Sequence, residues 1–251
     1  MSAPEATFFV TLYNSIMPRF LPRLLALCCL AVAACGGGRD SNSAGAPPAA
    51  TPATPAVGAS PGRSLPKIVA FGDSLTAGYG LRPEESYPAL LQERLRRDGF
   101  AYEVINAGSS GDTSAGGLRR IEWSLEGGGA RFVILELGAN DLLRGQPVGE
   151  MRRNLSEIIA RAKKRGSRVL LAGMIAPSNA GREYQRASIE AYQSLAAEHG
   201  VPLIPFFLEG VAGDARLNLA DGIHPNPEGT KIVAETVYRA LKPLLEEDAK
   251  R

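Results

Sequence analysis

The chain has 251 residues, of which 45% are hydrophobic and 22% charged, enough for one domain with a full core. Its formal net charge is only +2 and no basic stripe with interleaved aromatics occurs, which argues against nucleic acid as a partner. The three cysteines, Cys28, Cys29 and Cys35, all precede residue 36, so the rest of the chain can build neither a disulfide framework nor a thiolate metal site.

Taken in chain order, residues 1–16 fit no export pattern, and the true start is expected at Met17. Arg19 and Arg23 then form a positive flank, and Leu24 to Ala34 is an apolar run of signal-peptide length, too short to span a membrane. It ends in Val32-Ala33-Ala34-Cys35, which resembles the bacterial lipobox; the resemblance implies lipidation of Cys35 and, with Gly36 next, an outer-membrane destination facing the periplasm. An ordinary small-residue cleavage site with an incidental cysteine is the alternative. Residues 1–35 are therefore read as the signal segment. Residues 36–65, rich in Ala, Pro, Ser, Gly and Thr, cannot bury a core and read as a flexible tether.

Residues 66–251 are read as one folded domain. "KIVAFG" predicts a strand from Lys67, and "ESYPALLQERLRRDG" a helix with Leu90, Leu91 and Leu95 at helical spacing. "YEVINAG" is a second strand, Ser114 to Glu126 a helix, and "RFVILELG" an apolar run expected of a central strand covered on both faces. Met151 to Arg165 is an amphipathic helix, "RVLLAGMI" a buried strand, and Glu183 to His199 a helix ended by Gly200. "VPLIPF" is the last strand, and Pro227 to Glu247 the last helix. Five strands alternating with helices imply a three-layer α/β/α sandwich on a five-stranded parallel sheet, with ligands bound beyond the carboxyl ends of the strands.

Those ends carry the candidate chemistry. Ser74, in "FGDSLTAGYG", is either a helix cap or a nucleophile. A nucleophilic serine needs a base, and there are two histidines. His199 sits at a helix C-terminus, where a histidine favours the dipole. His224, in "ADGIHPN", has Asp221 three residues earlier, a spacing that lets a carboxylate fix the imidazole tautomer. Gly108, in "NAGSSGDTS", offers an N–H with no side chain in the way, and Asn140, in "GANDLLRG", offers an amide. Together with the N–H of Ser74 these would form an oxyanion hole. Asp73 and Asp141 are assigned to hydrogen-bonding loop backbone. Leu142, Leu143, Pro147 and Val148 are candidates for an acyl groove, with core packing as the alternative.

These four blocks, in this order, resemble the SGNH, or GDSL, hydrolase family over essentially all of residues 66–247. "GANDLLRG", "PSNAGREY" and "VPLIPFFLEGVA" resemble its bacterial arylesterase and thioesterase I/lysophospholipase subgroup. The resemblance implies a flavodoxin-like fold, no metal, no organic cofactor, and a Ser74–His224–Asp221 triad acting on carboxylic esters, thioesters or lysophospholipids. Two rival readings stay open: an O-acetylesterase for envelope polysaccharide, and a catalytically silent binding lipoprotein.

Overall fold

The computed structural model describes residues 65–250. The export segment, Cys35 and nearly all of the tether lie outside the described residues. Five strands form one parallel sheet: β1 (Lys67–Gly72), β2 (Glu103–Gly108), β3 (Ala130–Glu136), β4 (Arg168–Ala172) and β5 (Leu203–Ile204). The spatial order is β2-β1-β3-β4-β5. This is the flavodoxin-like order, in which the chain runs one way from β1 to β2 and the other way from β3 onward. The predicted fold class is the observed one.

Seven α-helices connect the described strands: α1 (Ser74–Ala77), α2 (Tyr87–Arg97), α3 (Ser114–Ser124), α4 (Ala139–Leu143), α5 (Val148–Lys164), α6 (Arg182–His199) and α7 (Pro227–Asp248). Helix α2 packs on α7, while α3, α5 and α6 pack in a row. In α5, Met151, Leu155, Ile158 and Ile159 recur at helical spacing and are buried, each contributing roughly 1.5–3 kcal/mol of transfer free energy. The centre of β3, Phe132 to Leu135, has no exposed surface, as its unbroken apolar run predicts.

The sequence reading differs from the structure at the ends of elements. "VPLIPF" shrinks to a two-residue strand, because Pro202 and Pro205 flank it and neither can donate to a ladder. Helix α5 begins at Val148, three residues before the expected Met151, with Pro147 as its N-cap. The short helices α1 and α4 are too brief to show a period in the sequence, and α1 is expected there only as the helix that a cap at Ser74 would open.

Both lie where the sheet reverses its winding. Helix α1 follows β1 and α4 follows β3, and these two strands are neighbours at the switch between the two directions. In register, Gly72 of β1 pairs with Gly108 of β2 on one side and with Glu136 of β3 on the other. These three residues end their strands in one row, and the polar loops continue from it.

Candidate active site

Ser74 is the first residue of α1, immediately after the cap. Asp73 is the N-cap, with its Oδ1 accepting the Leu75 N–H at 3.0 Å. The cap and the candidate nucleophile are thus adjacent residues, and the sequence alternatives for Ser74 resolve in favour of Asp73 as cap. The first N–H groups of a helix have no intrahelical partner, and that of Ser74 has none among the described residues.

His224 arrives from the loop before α7. Its Nε2 lies 2.9 Å from Ser74 Oγ, and its Nδ1 lies 2.7 Å from Asp221 Oδ2. The second oxygen of Asp221 accepts the backbone N–H groups of Ile223 and His224, at 2.9 and 3.0 Å. Burial pushes the Asp221 carboxyl up, but these donors and the imidazole outweigh it and hold the group below the usual carboxylate range. The loop is tied off by the Leu219 N–H donating to the His224 carbonyl at 2.7 Å, and Asn226 caps α7 just after it. The Tyr79 ring lies against the imidazole, 4.5 Å between centroids. His199 is the last residue of α6 and faces Ser156 Oγ at 2.7 Å, apart from this site.

Ser74, Asn140 and His224 line a cavity of about 870 Å³ with Leu142, Leu143, Met174, Ile175, Phe206 and Leu208 among its walls. Pro147 and Val148, expected in the acyl groove, are not among its lining residues; they start α5, and Val148 packs against the core. The long walls come instead from the loops after β4 and β5; Met174, Ile175 and Phe206 among them are expected from the sequence in the strands "RVLLAGMI" and "VPLIPF", which end earlier, at Ala172 and Ile204. Leu142 is buried and Leu143 half exposed, so the pair bridges core and cavity mouth.

Gly108 requires a correction. Its N–H, expected to face an oxyanion, donates to Asn106 Oδ1 at 2.9 Å, and Gly108 does not line the cavity. Its glycine identity has a packing reason: a Cβ there would overlap the backbone N of Ala77 in α1. Three residues on, Gly111 lines the cavity and its N–H has no partner among the described residues. The signal for it was present in the same block, "NAGSSGDTS", which holds both glycines.

Asn140 is where the sequence puts it, in the first turn of α4. Its Nδ2 donates to Asp73 Oδ2 at 3.1 Å and to the Asp112 carbonyl at 2.9 Å. Asp141, buried beside it, accepts from Ser114 N–H and Oγ–H at 2.8 and 2.6 Å, which ties α4 to α3. Arg120 was not singled out from the sequence. Its guanidinium lies over the Phe71 ring, pairs with Asp112, and donates to the carbonyls of Ala107 and Gly72 at 2.7 Å each, clamping the ends of β1 and β2.

Among the described residues, no group of three or more His, Cys, Asp or Glu could hold a metal ion, and no helix is long and apolar enough to cross a membrane.

Comparison with known proteins agrees with this geometry. Residues 70–232 match the family described as GDSL-like lipase/acylhydrolase. The chain is 42% identical over 178 residues to esterase TesA of Pseudomonas aeruginosa, covering 71% of this chain and 89% of that protein. It is 37% identical over 182 residues to thioesterase 1/protease 1/lysophospholipase L1 of Escherichia coli, covering 72% and 86%. The crystal structure of AlinE4, an SGNH-hydrolase family esterase, superposes with a TM-score of 0.61 at 44% identity, over 75% of this chain and 98% of that one. A parallel sheet in flavodoxin-like order, a Ser–His–Asp chain of contacts at its switch point and matches over most of the folded domain lead to one assignment: the chain belongs to the GDSL-like lipase/acylhydrolase family of SGNH hydrolases.

Proposed function

We propose that the protein is a serine esterase that hydrolyses carboxylic esters and thioesters of small to medium acyl chains through an acyl-enzyme. The observation that carries this is the run Asp221 Oδ2, His224, Ser74 Oγ, joined by contacts of 2.7 and 2.9 Å. In this reading His224 Nε2 takes the proton of Ser74 Oγ as Oγ attacks the acyl carbon. Asp221 holds Nδ1–H, fixes the tautomer and stabilises the imidazolium that forms. The developing oxyanion is met by the N–H groups of Ser74 and Gly111, neither of which has a partner among the described residues, and by Asn140. Asn140 keeps its bond to Asp73 and turns its other N–H from the Asp112 carbonyl to the oxyanion. His224 then returns its proton to the leaving oxygen or sulfur. Water, deprotonated by His224, attacks the ester of Ser74 and restores the enzyme.

The cavity walls favour an acyl chain over an acetylated glycan, since Met174, Ile175, Phe206 and Leu208 offer apolar surface where a sugar needs hydrogen-bond partners. Lysophospholipids and aryl esters fit the same description. Export, with a lipid anchor on Cys35 holding the domain at the outer membrane, is part of the same proposal and rests on the residues around Cys35.

A fluorophosphonate probe tests the nucleophile. Wild-type protein is expected to label at Ser74 and to turn over p-nitrophenyl butyrate and octanoate. Ser74→Ala should label at no site and retain at most the roughly 10³–10⁴-fold residual rate over water that binding and the oxyanion site supply. Label on another residue, or near-full turnover by Ser74→Ala, would overturn the reading.

A further inference from the structure

One buried titratable group is not used by this mechanism. Glu136 ends β3 with no exposed surface, between Leu135 and Leu137 in an otherwise apolar run. Its Oε2 accepts the Asp73 N–H at 3.2 Å and the Thr76 hydroxyl at 2.7 Å. The Tyr87 hydroxyl lies 3.4 Å from Thr76 Oγ, behind it. The other oxygen of Glu136, Oε1, is buried with no hydrogen-bond partner among the described residues. The space for this carboxyl is made by Gly72, the residue paired with Glu136 in the sheet, where a Cβ would overlap both Thr76 Oγ1 and Glu136 Oε2.

Burying Glu136 is costly: an unpaired buried carboxyl oxygen costs on the order of 1–3 kcal/mol, offset by the acceptor that Oε2 gives the buried Asp73 N–H and Thr76 hydroxyl. What the carboxyl does is hold two residues of the nucleophile turn at once. Asp73, fixed through its N–H, caps α1 with one oxygen and grips Asn140 Nδ2 with the other. Thr76, fixed through its hydroxyl, lies one residue from the end of α1.

We propose that Glu136 is a positioning residue of the oxyanion site: held by the Thr76 hydroxyl, it fixes Asp73, which grips Asn140. Burial, and then the neighbouring Asp73, raise the Glu136 carboxyl well above its usual range. Burial likewise pushes Asp73 up to about 6, against the pull of the Leu75 N–H and the Asn140 amide.

The inference rests on the proposed oxyanion role of Asn140, and a double-mutant cycle separates the two. In active-site-titrated p-nitrophenyl butyrate hydrolysis, Asn140→Ala alone should lower kcat by about 10²–10³. Glu136→Leu should lower kcat by roughly 10–100-fold with KM little changed, since a misplacement of about 1 Å costs up to 10². Glu136→Gln, uncharged and still able to accept from Asp73 and Thr76, should restore most of the loss. In the Asn140→Ala background, Glu136→Leu should cost little more, because the group it positions is gone. A general loosening of the fold would instead slow both backgrounds alike. Thr76→Val, which removes one donor at nearly constant volume, is the second variant, with a smaller fall in kcat and the same non-additivity. Additive losses, full kcat in Glu136→Leu, or Glu136→Gln as slow as Glu136→Leu would overturn the proposal. No effect of Asn140→Ala on kcat would instead overturn the oxyanion reading beneath it.

Discussion

The two halves of the site are held by different means. The nucleophile half is tied by bonds between distant stretches of chain: Asp73 to Glu136, Thr76 to Glu136, Asn140 to Asp73, and Ser114 to Asp141. Most of these partners have no contact with water. The His224 half is tied mainly to itself, through Asp221 to the N–H groups of residues 223 and 224, Leu219 to His224, and Asn226 to Leu217. The Asp221 side chain is 36% exposed, whereas Asp73 is fully buried. The difference teaches where chemistry and stability are coupled. On the nucleophile side a substitution disturbs the core that folds the domain. On the base side the same chemical loss can occur with the fold untouched.

The largest expected effect lies on the base side. Asp221→Asn keeps an oxygen for the two backbone N–H groups but turns an amide toward Nδ1, which selects the wrong tautomer. By analogy with other Ser–His–Asp enzymes, kcat should fall by about 10⁴. The thermal midpoint should scarcely move, because exposed bonds of this kind contribute about 0–1 kcal/mol. Ester turnover and thermal unfolding on the same sample check both halves of the statement. A fall of many degrees would break the comparison, by showing the loop to be part of the folding core.

The two glycines of the second block sharpen it further. Gly108→Ala places a methyl against the backbone of Ala77, which cannot yield as a flexible side chain would. Overpacking of this kind costs about 1–3 kcal/mol or more, or roughly 2–4 °C per kcal/mol for a domain of this size. Gly111→Ala meets no atom within 4 Å, but sits at φ +83°, where a side chain costs about 1–2 kcal/mol. It should fall more in kcat than in midpoint, since Gly111 lines the cavity and its N–H has no partner among the described residues. Unfolding midpoints and active-site-titrated kcat for both variants decide it; the reverse order would return Gly108 to the oxyanion site.

These glycines also mark the boundary of what the sequence makes legible. The five strands, the long helices and the Ser74, Asp221, His224 set could be read because periodicity and strand-end position are local properties. Which glycine of "NAGSSGDTS" faces the ligand is not local. It depends on α1 crossing over the end of β2, and a four-residue helix leaves no period to detect. Glu136 was hidden for a related reason: one carboxylate inside "RFVILELG" reads as part of an apolar strand, and only the sheet register puts it beside Gly72. Pro147 and Val148 looked like cavity wall from their nearness to Asn140, yet helix α4 turns the chain away before they are reached.

The smallest effect concerns pH, and the two halves should respond with opposite sign. Asp221 sits below the usual carboxylate range, so the stability it contributes is present above the unfolded value near 3.8 and is lost as pH falls through its folded value. Glu136 sits well above its ordinary 4.5, so the folded chain binds more protons than the unfolded one over that interval. The Glu136 contribution to stability therefore falls as pH rises from about 4.5 toward the raised folded value. Glu136→Gln cannot titrate and escapes this loss. The midpoint of Glu136→Gln minus that of wild type should grow more positive as pH rises above the ordinary 4.5, by roughly 2–4 °C for each kcal/mol. A constant difference would mean that Glu136 carries no proton in the folded state that it lacks in the unfolded one. The nucleophile half would then be no more costly to keep buried than the loop opposite it.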